Sequence, residues 1–223
     1  MRSYEIVATL SSKEKQVFKV RSEGVDYILK VYPDEQSTDK EVGVVKKVSM
    51  TGYAPKVVER EGNKALFEYI EGDNFNEVFR LATMTDDIQT MEMLASRLSI
   101  FLQMIYSFSD CVMKKIDFDN FLVKDGRVIG VDFSNVDDGM PYEDLASAIT
   151  CALFNSVGEY YSCFPFIQKL LECFKLSMMD VINEIKLKLE QVSKRKKESV
   201  DVDFLLDSLA NFDEKGVDWR KLI

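Results

Sequence analysis

The chain has 223 residues, of which 46% are hydrophobic and 30% are charged, a composition typical of a globular protein with a sizeable core. It contains no histidine, which excludes imidazole bases, Ser-His and Cys-His catalytic groups and imidazole-ligated metals. The net charge of −9 argues against nonspecific binding to nucleic acid, so we expect no nucleic-acid partner.

The sequence shows no signal for export or membrane insertion. No segment approaches the run of about 18 apolar residues that a membrane span needs. The amino terminus lacks an apolar stretch followed by a small-residue cleavage site. The four cysteines lack the paired spacing of a zinc site, and we interpret them as reduced thiols of the core. We therefore expect a soluble, cytoplasmic protein without a membrane span.

The first 70 residues predict a β-rich lobe, 1–70. Segments rich in β-branched and aromatic residues predict five strands, at 4–10, 16–22, 26–32, 55–61 and 64–70. A helix over 37–50, with a Ser or Thr N-cap, is expected between the third and fourth strands. The dipeptide Gly62-Asn63 is typical of a tight hairpin turn between the last two strands.

From residue 71 to residue 223 the apolar periodicity predicts a helical second lobe. The expected helices are 74–83, 86–108, 142–157, 164–176, 178–194 and 202–212. One small hairpin interrupts them, with strands at 120–124 and 128–134 around the turn Asp125-Gly126. A β-rich part followed by a helical part that carries one hairpin is an α+β fold class.

Four short motifs accompany this order of elements. "YILKVY" places Lys30 in the third strand, and the following helix carries Glu41. "FEYIEG" ends the fifth strand, Asn120 and Asp132 bracket the hairpin in "NFLVKDGRVIGVD", and Asp-Leu-Ala follows in "YEDLASAI". From about residue 4 to about residue 157, the chain resembles the protein-kinase-like superfamily. It is most similar to the small bacterial phosphotransferase branch, which includes aminoglycoside phosphotransferases, choline kinases, RIO-like kinases and lipopolysaccharide kinases.

The resemblance implies a bilobal fold, with a five-stranded antiparallel amino-terminal lobe that has one helix and a mostly helical second lobe. It also implies ATP and Mg²⁺ as cofactors. In the family, a lysine at the position of Lys30 reaches the α- and β-phosphates, and a carboxylate at that of Glu41 holds it. Residues at the positions of Asn120 and Asp132 ligate Mg²⁺, which prefers hard oxygen donors of this kind.

The same resemblance assigns residues to the adenine ring and to the catalytic loop. Glu68 and Ile70 would offer backbone contacts to adenine, and Phe67 would line the back of its pocket. Asp144 would accept backbone hydrogen bonds from the catalytic loop and brace it.

Two departures from the family pattern bear on activity. The loop before the second strand, "LSSKEKQVF", has no glycine, so the side chains of Ser11, Ser12 and Lys13 would have to contact phosphate. The family's catalytic aspartate lies five residues before the metal-binding asparagine, where this chain has Lys115. An ammonium group cannot act as that carboxylate base.

Two nearby carboxylates are alternatives for the missing base. Asp117 lies where kinases often carry a basic residue facing the γ-phosphate, so Lys115 and Asp117 are predicted to have exchanged roles. Asp119 is the other alternative.

Three interpretations of the sequence remain open. The first, which we favour, is an ATP- and Mg²⁺-dependent phosphotransferase that transfers the γ-phosphate to a hydroxyl of an unknown small molecule or protein. The second is a pseudokinase that acts as a nucleotide-binding or protein-interaction module. The third is a helical protein with a coincidental hairpin. The pair Asn120 and Asp132 favours the first, whereas Lys115 and the loop without glycine favour the second.

Overall fold

A computed structural model describes residues 3–10, 12, 15–109, 111–157, 160–196 and 202–215 of the chain. The amino-terminal part forms one antiparallel sheet in the order β1-β2-β3-β5-β4, and one helix, α1, connects β3 to β4. These elements are β1 (Glu5–Leu10), β2 (Gln16–Ser22), β3 (Val25–Val31), α1 (Glu35–Val48), β4 (Val57–Glu61) and β5 (Lys64–Glu68). The predicted five-stranded sheet is confirmed.

The rest of the described chain is mostly helical and carries a second, small sheet. Its helices are α2 (Phe75–Met84), α3 (Ile88–Ser109), α4 (Pro141–Asn155), α5 (Phe164–Phe174), α6 (Met178–Lys196) and α7 (Val202–Lys215). Its strands are β6 (Asp73–Asn74), β7 (Phe121–Lys124) and β8 (Arg127–Gly130). The predicted α+β fold class is therefore confirmed, while the boundary between two lobes at residues 70 and 71 stays a prediction.

The hairpin differs from the prediction at both ends. Strand β6 pairs with β7 and turns the predicted hairpin into a three-stranded sheet. Strand β8 ends at Gly130 instead of residue 134. Beyond it, the Asp132 carboxylate accepts the Ser134 N–H at 3.0 Å, a local bond that competes with strand pairing. Asp132 thus lies two residues beyond the end of β8, outside the paired strands.

Helix α1 begins earlier than expected. Its N-cap is Asp34, whose carboxylate accepts the Ser37 N–H at 2.7 Å, so the predicted Ser or Thr cap was wrong. An aspartate at this position satisfies an unpaired amide and complements the helix dipole. The helix then places Glu41 on its buried face.

The alternation of side chains along β3 separates two faces of the first sheet. Leu29 and Val31 pack with Val20 and Leu66 in a small cluster on one face. Because side chains alternate along a strand, Lys30 projects from the opposite face, toward α1.

An aromatic core lies beneath the small sheet. Seven fully buried phenylalanines form it, with contacting ring centroids 4.8–6.4 Å apart: Phe75, Phe79, Phe101, Phe118, Phe121, Phe133 and Phe166. A Cβ on Gly130 would lie 2.7 Å from the Phe101 ring, so only glycine allows β8 this close. The buried rings of Phe121 and Phe133 directly follow Asn120 and Asp132 and thereby fix their positions.

The cysteines and the helices bear on two further predictions. All four cysteines are free, as predicted, but only Cys163 is fully buried, and burial raises the pKa of its thiol to about 12. The other three are partly exposed, and Cys111 and Cys151 pack against the hydrophobic core. In the part of the chain that the structure describes, no helix is long and apolar enough to span a membrane.

Candidate functional site

A cavity of about 660 Å³ lies between the first sheet and the small sheet, a volume typical of a small-molecule site. Side chains of β2, β3, β5 and β7 supply its apolar wall, and the segments before β7 and after β8 supply most of its polar wall. It brings together nine of the predicted site residues: Ser12, Lys30, Phe67, Glu68, Ile70, Lys115, Asp117, Asn120 and Asp132. Ser11 lies outside the described residues.

Glu41 does not line the cavity itself but forms an ion pair with Lys30, which does. The Lys30 Nζ lies 2.5 Å from Glu41 Oε1, and both side chains are almost completely buried, at 5% and 0% exposure. The same ammonium donates to the Val131 carbonyl oxygen at 2.7 Å and lies 5.0 Å from the Phe67 ring centroid. Lys30 is thus fixed from three directions at the cavity wall.

A second lysine, which the sequence analysis did not select, reaches the same carboxylates. The Lys15 Nζ lies 2.7 Å from Glu41 Oε2, 2.8 Å from Asp132 Oδ1 and 3.0 Å from Ser134 Oγ. Its side chain is 2% exposed. We call Lys15, Lys30, Glu41 and Asp132 the charge cluster; its two ammonium groups and two carboxylates balance.

The pKa shifts in the charge cluster follow from this pairing. Burial alone would raise the pKa of Glu41, but the charges of Lys30 and Lys15 hold it below its usual value. For Asp132, burial likewise opposes ionisation, and Lys30 and Lys15 again lower its pKa. Burial would lower the pKa of Lys15, yet Glu41 and Asp132 raise it. All three groups are therefore charged near neutral pH.

Asn120 and Asp132 lie at the same end of the small sheet, because Asn120 precedes β7 and Asp132 follows its antiparallel partner β8. The Val131 N–H donates to the Asn120 carbonyl oxygen at 2.9 Å, which ties the two segments together next to both side chains. Asp132 Oδ1 accepts hydrogen bonds from the Ser134 amide and hydroxyl as well as from Lys15. The amide and carboxylate oxygens suit Mg²⁺ in chemistry. No group of three or more His, Cys, Asp or Glu among the described residues could hold a metal, so water or a bound phosphate group would have to supply the other oxygen ligands of such an ion.

The segment from Met113 to Asn120 is held by α4. Asp144 Oδ2 accepts the Met113 N–H at 2.8 Å, which confirms the predicted bracing bond, and also the Tyr106 hydroxyl at 3.1 Å. Ser147 Oγ accepts the Ile116 N–H at 2.8 Å. Burial raises the pKa of Asp144 to about 6, because its hydrogen bonds from Met113 and Tyr106 do not fully offset the loss of solvent.

The backbone within this segment is bent. Lys114 adopts a φ of 59°, which non-glycine residues rarely adopt, and the Lys115 N–H donates to the Met113 carbonyl oxygen at 2.6 Å. The Lys114 Nζ lies 2.9 Å from Glu143 Oε2 on α4. Lys115 and Asp117, which follow the bend, both line the cavity, where the predicted exchange of roles would require them.

Asp117 and Asp119 have different surroundings at the cavity mouth. Asp117 caps a short 3-10 turn, Phe118–Asn120, and accepts the Asp119 N–H at 3.3 Å. Asp119 is exposed and accepts from the Asn76 amide nitrogen at 3.1 Å. Within the part of the chain that the structure describes, neither carboxylate forms a hydrogen bond or ion pair with the charge cluster.

The residues predicted to bind adenine lie at the end of β5. Phe67 is fully buried at the cavity wall, and Ile70 lines the cavity beyond the strand. The Glu68 N–H donates to the Lys56 carbonyl oxygen at 2.9 Å. A ligand contact by the Glu68 backbone would therefore use its carbonyl oxygen.

Comparison with known proteins identifies the fold. No family model matches the chain, and no curated protein matches its sequence. Among many similar solved structures is that of the Cydia pomonella granulovirus kinase PK-1, with a TM-score of 0.53 and 14% sequence identity. The similarity covers 70% of this chain and 72% of the viral kinase. The chain therefore has a kinase-like fold.

Lys15 was missed because its contacts are distant in sequence. It lies 26 residues from Glu41 and 117 residues from Asp132, and no local pattern joins them. The available signal was the glycine-free loop "SSKEK", which supplies lysine side chains where the family supplies glycine amides. Lys13, the lysine of this loop that was predicted to contact phosphate, lies outside the described residues.

Proposed function

We propose that the cavity binds ATP and that the chain is a phosphotransferase of the small kinase-like type, acting on a hydroxyl of a small molecule or protein. One observation carries the proposal: Lys30, which is paired with the buried Glu41, lines a cavity that Asn120 and Asp132 also line. Burying a lysine is costly unless it is paired, and a paired lysine facing a cavity is typical of a functional site.

Lys30 can bind phosphate without losing its present partners. Its ammonium has three donors, and two of them are directed to Glu41 and to the Val131 carbonyl oxygen. The third is available for a phosphate oxygen. Glu41 would keep the ammonium oriented and charged, as expected for a lysine that contacts the α- and β-phosphates.

The remaining residues divide between the two ends of the nucleotide. Phe67, with the backbone of Glu68 and Ile70, would bind the adenine, and Ser12 would contact phosphate. Asn120 and Asp132 would hold Mg²⁺ together with phosphate oxygens. When bound, this ion neutralises phosphate charge during transfer. We assign the 1–70 and 71–223 segments as the two lobes that enclose the nucleotide.

The transfer step would use residues of the braced segment. Asp117 would accept the proton of the substrate hydroxyl, and Lys115 would face the phosphate that is transferred. Both side chains line the cavity, which supports the exchange of roles.

A thermal-shift titration with ATP and Mg²⁺ tests nucleotide binding. At an ATP concentration one hundredfold above Kd, binding raises the melting temperature of a chain of this size by roughly 5–10 °C. Lys30→Met, if it binds ATP about tenfold or more weakly, should reduce this increase by about half or more at the same ATP concentration. Lys40→Met is the matched control, because Lys40 lies on α1, is 45% exposed and pairs with Asp137 outside the cavity. The absence of a shift in the wild-type protein at millimolar ATP would refute the proposal.

A pseudokinase is the second candidate, favoured by one specific observation. Lys115 lines the cavity at the position where the family has its catalytic aspartate. In this case the protein would bind nucleotide and use it as a structural ligand or as a signal for a protein partner. A protein that gives the thermal shift but shows neither ATP hydrolysis nor phosphotransfer would match this second function.

A further inference from the structure

The three oxygen contacts of Lys15 use the full donor capacity of its ammonium group. Glu41 Oε2, Asp132 Oδ1 and Ser134 Oγ all lie within 3.0 Å of the Lys15 Nζ. An ammonium has three N–H donors, so these contacts account for all of them. Lys15 is therefore committed to protein oxygens, whereas Lys30 retains a donor for a ligand.

The position of the Lys15 ammonium matters because it contacts Asp132, a predicted metal ligand. It contacts the Oδ1 atom of Asp132 at 2.8 Å. A Mg²⁺ bound to the same oxygen at about 2.1 Å would lie within about 5 Å of the ammonium. Two cations this close in a largely buried site repel each other strongly.

The charges of the site lead to the same conclusion. With Lys15 in place, the charge cluster is neutral and has little attraction for a further cation. Without Lys15, Glu41 and Asp132 would face Lys30 alone, and the cluster would carry one net negative charge.

We propose that Lys15 is a tethered counter-ion of Asp132, and that a divalent cation gains this carboxylate only by displacing the Lys15 ammonium. The inference deepens the proposed function and rests on it for the role of Asp132 as a metal ligand. It explains how a loop without glycine contributes to the site: a side-chain cation of the loop reaches the carboxylate that the metal would bind. Divalent-cation affinity is accordingly set by this chain's own lysine.

Mn²⁺ binding to the nucleotide-free protein tests the inference, with free Mn²⁺ followed by electron paramagnetic resonance. Lys15→Met should bind Mn²⁺ about tenfold or more tightly than the wild-type protein, because the competing charge is removed. Lys15→Gln, which keeps a hydrogen-bonding side chain without the charge, should show the same gain and serves if Lys15→Met does not fold. Lys40→Met makes the same change in net charge outside the cavity and should match the wild type.

A double variant locates the gain. Adding Asp132→Asn to Lys15→Met should return Mn²⁺ affinity to the wild-type level or below it. Equal Mn²⁺ affinity in the wild type, Lys15→Met and Lys15→Gln would overturn the inference, as would a gain that survives Asp132→Asn.

The two proposals fail in different ways. ATP binding without metal is measured separately on the wild-type protein. If ATP does not bind but Lys15→Met still gains Mn²⁺ affinity through Asp132, the proposed function fails and the counter-ion role of Lys15 stands. If ATP binds but neither Lys15 variant gains Mn²⁺ affinity, the counter-ion role fails and the proposed function stands.

Discussion

The cavity has two polar walls, one backed by the charge cluster and one formed by the segment from Met113 to Asn120, and they are built in different ways. In the charge cluster, Lys15, Lys30 and Glu41 are buried, Asp132 is partly buried, and the ions are paired within 2.5–2.8 Å. Three of the four members come from the first sheet and its neighbouring helix and loop. The segment from Met113 to Asn120 presents Lys115 and Asp119 to solvent and is held through its backbone by α4. One wall is fixed by its charges, whereas the other is fixed by main-chain hydrogen bonds.

This difference indicates where the site can vary without loss of structure. Changing a member of the charge cluster leaves a buried charge without its partner, so the fold itself constrains those residues. Changing an exposed side chain on a braced loop alters chemistry at little structural cost. The residue types expected for phosphate binding are present at the first wall, and the departure at Lys115 lies on the second.

Removing a carboxylate from the charge cluster should have the largest effect on stability. Glu41→Gln leaves two buried ammonium groups with one carboxylate, and we expect a loss of about 3–5 kcal/mol in the free energy of unfolding. Glu35→Gln, at an exposed position of the same helix, should cost less than about 1 kcal/mol. Urea denaturation of both variants measures the contrast, and equal small losses would show that the buried pairing contributes little.

Substitutions on the second wall should change turnover instead of stability. If Asp117 accepts the substrate proton, Asp117→Asn lowers phosphotransfer by about two to four orders of magnitude while ATP affinity stays near the wild-type value. Asp119→Asn separates the two candidate bases in the same assay. Unchanged turnover in Asp117→Asn would exclude the exchange of roles with Lys115.

The bracing of the second wall should depend on pH through Asp144. Its folded-state pKa of about 6 lies above the unfolded value, so its contribution to stability is full below about pH 4 and is lost as the pH rises through 6. Asp144→Asn lacks this titration. The stability of the wild type relative to this variant should therefore fall by about 2 kcal/mol between pH 4 and pH 7.

Chemical denaturation at several pH values measures this difference. Tyr106, Glu143 and the backbone of Met113 and Lys114 face the Asp144 carboxyl and are the same in both proteins. A difference that stays constant or increases with pH would contradict the predicted shift.

The smallest expected effect concerns the bond between Ser147 and the loop. Ser147→Ala removes the acceptor of the buried Ile116 N–H and should cost about 1–3 kcal/mol. Ser107→Ala, in which an exposed helical serine loses only a bond to its own helix, should be within about 0.5 kcal/mol of the wild type. Hydrogen exchange of the Ile116 amide provides a local measure, and unchanged protection in Ser147→Ala would argue against the bracing.

The fold was largely predictable from the sequence because its signals are local. The turns at Gly62-Asn63 and Asp125-Gly126, both with a glycine at positive φ, and the alternation within the strands define the sheets. The two-residue strand β6 was missed because it is too short to carry a periodic pattern. The Asp34 cap was missed because Ser37 and Thr38, which follow closely in the sequence, are equally plausible cap residues.

The site was predictable only where a family motif marks it. Lys30, Asn120 and Asp132 were selected from such motifs, and all three line one cavity. Lys15 and Ser134 were not, because their positions depend on tertiary contacts that bring the start of β2 next to the turn after β8. No spacing in the sequence encodes that contact.

Calorimetric titration with a non-hydrolysable ATP analogue and Mg²⁺ measures directly whether this cavity binds nucleotide. We expect saturable binding of one nucleotide per chain, with Lys30→Met weakening the affinity about tenfold or more through loss of a charged phosphate contact. Lys40→Met should leave the affinity unchanged. Absence of saturable heat in the wild-type protein, or an affinity that Lys30→Met does not change, would contradict the assignment of this cavity as a nucleotide site.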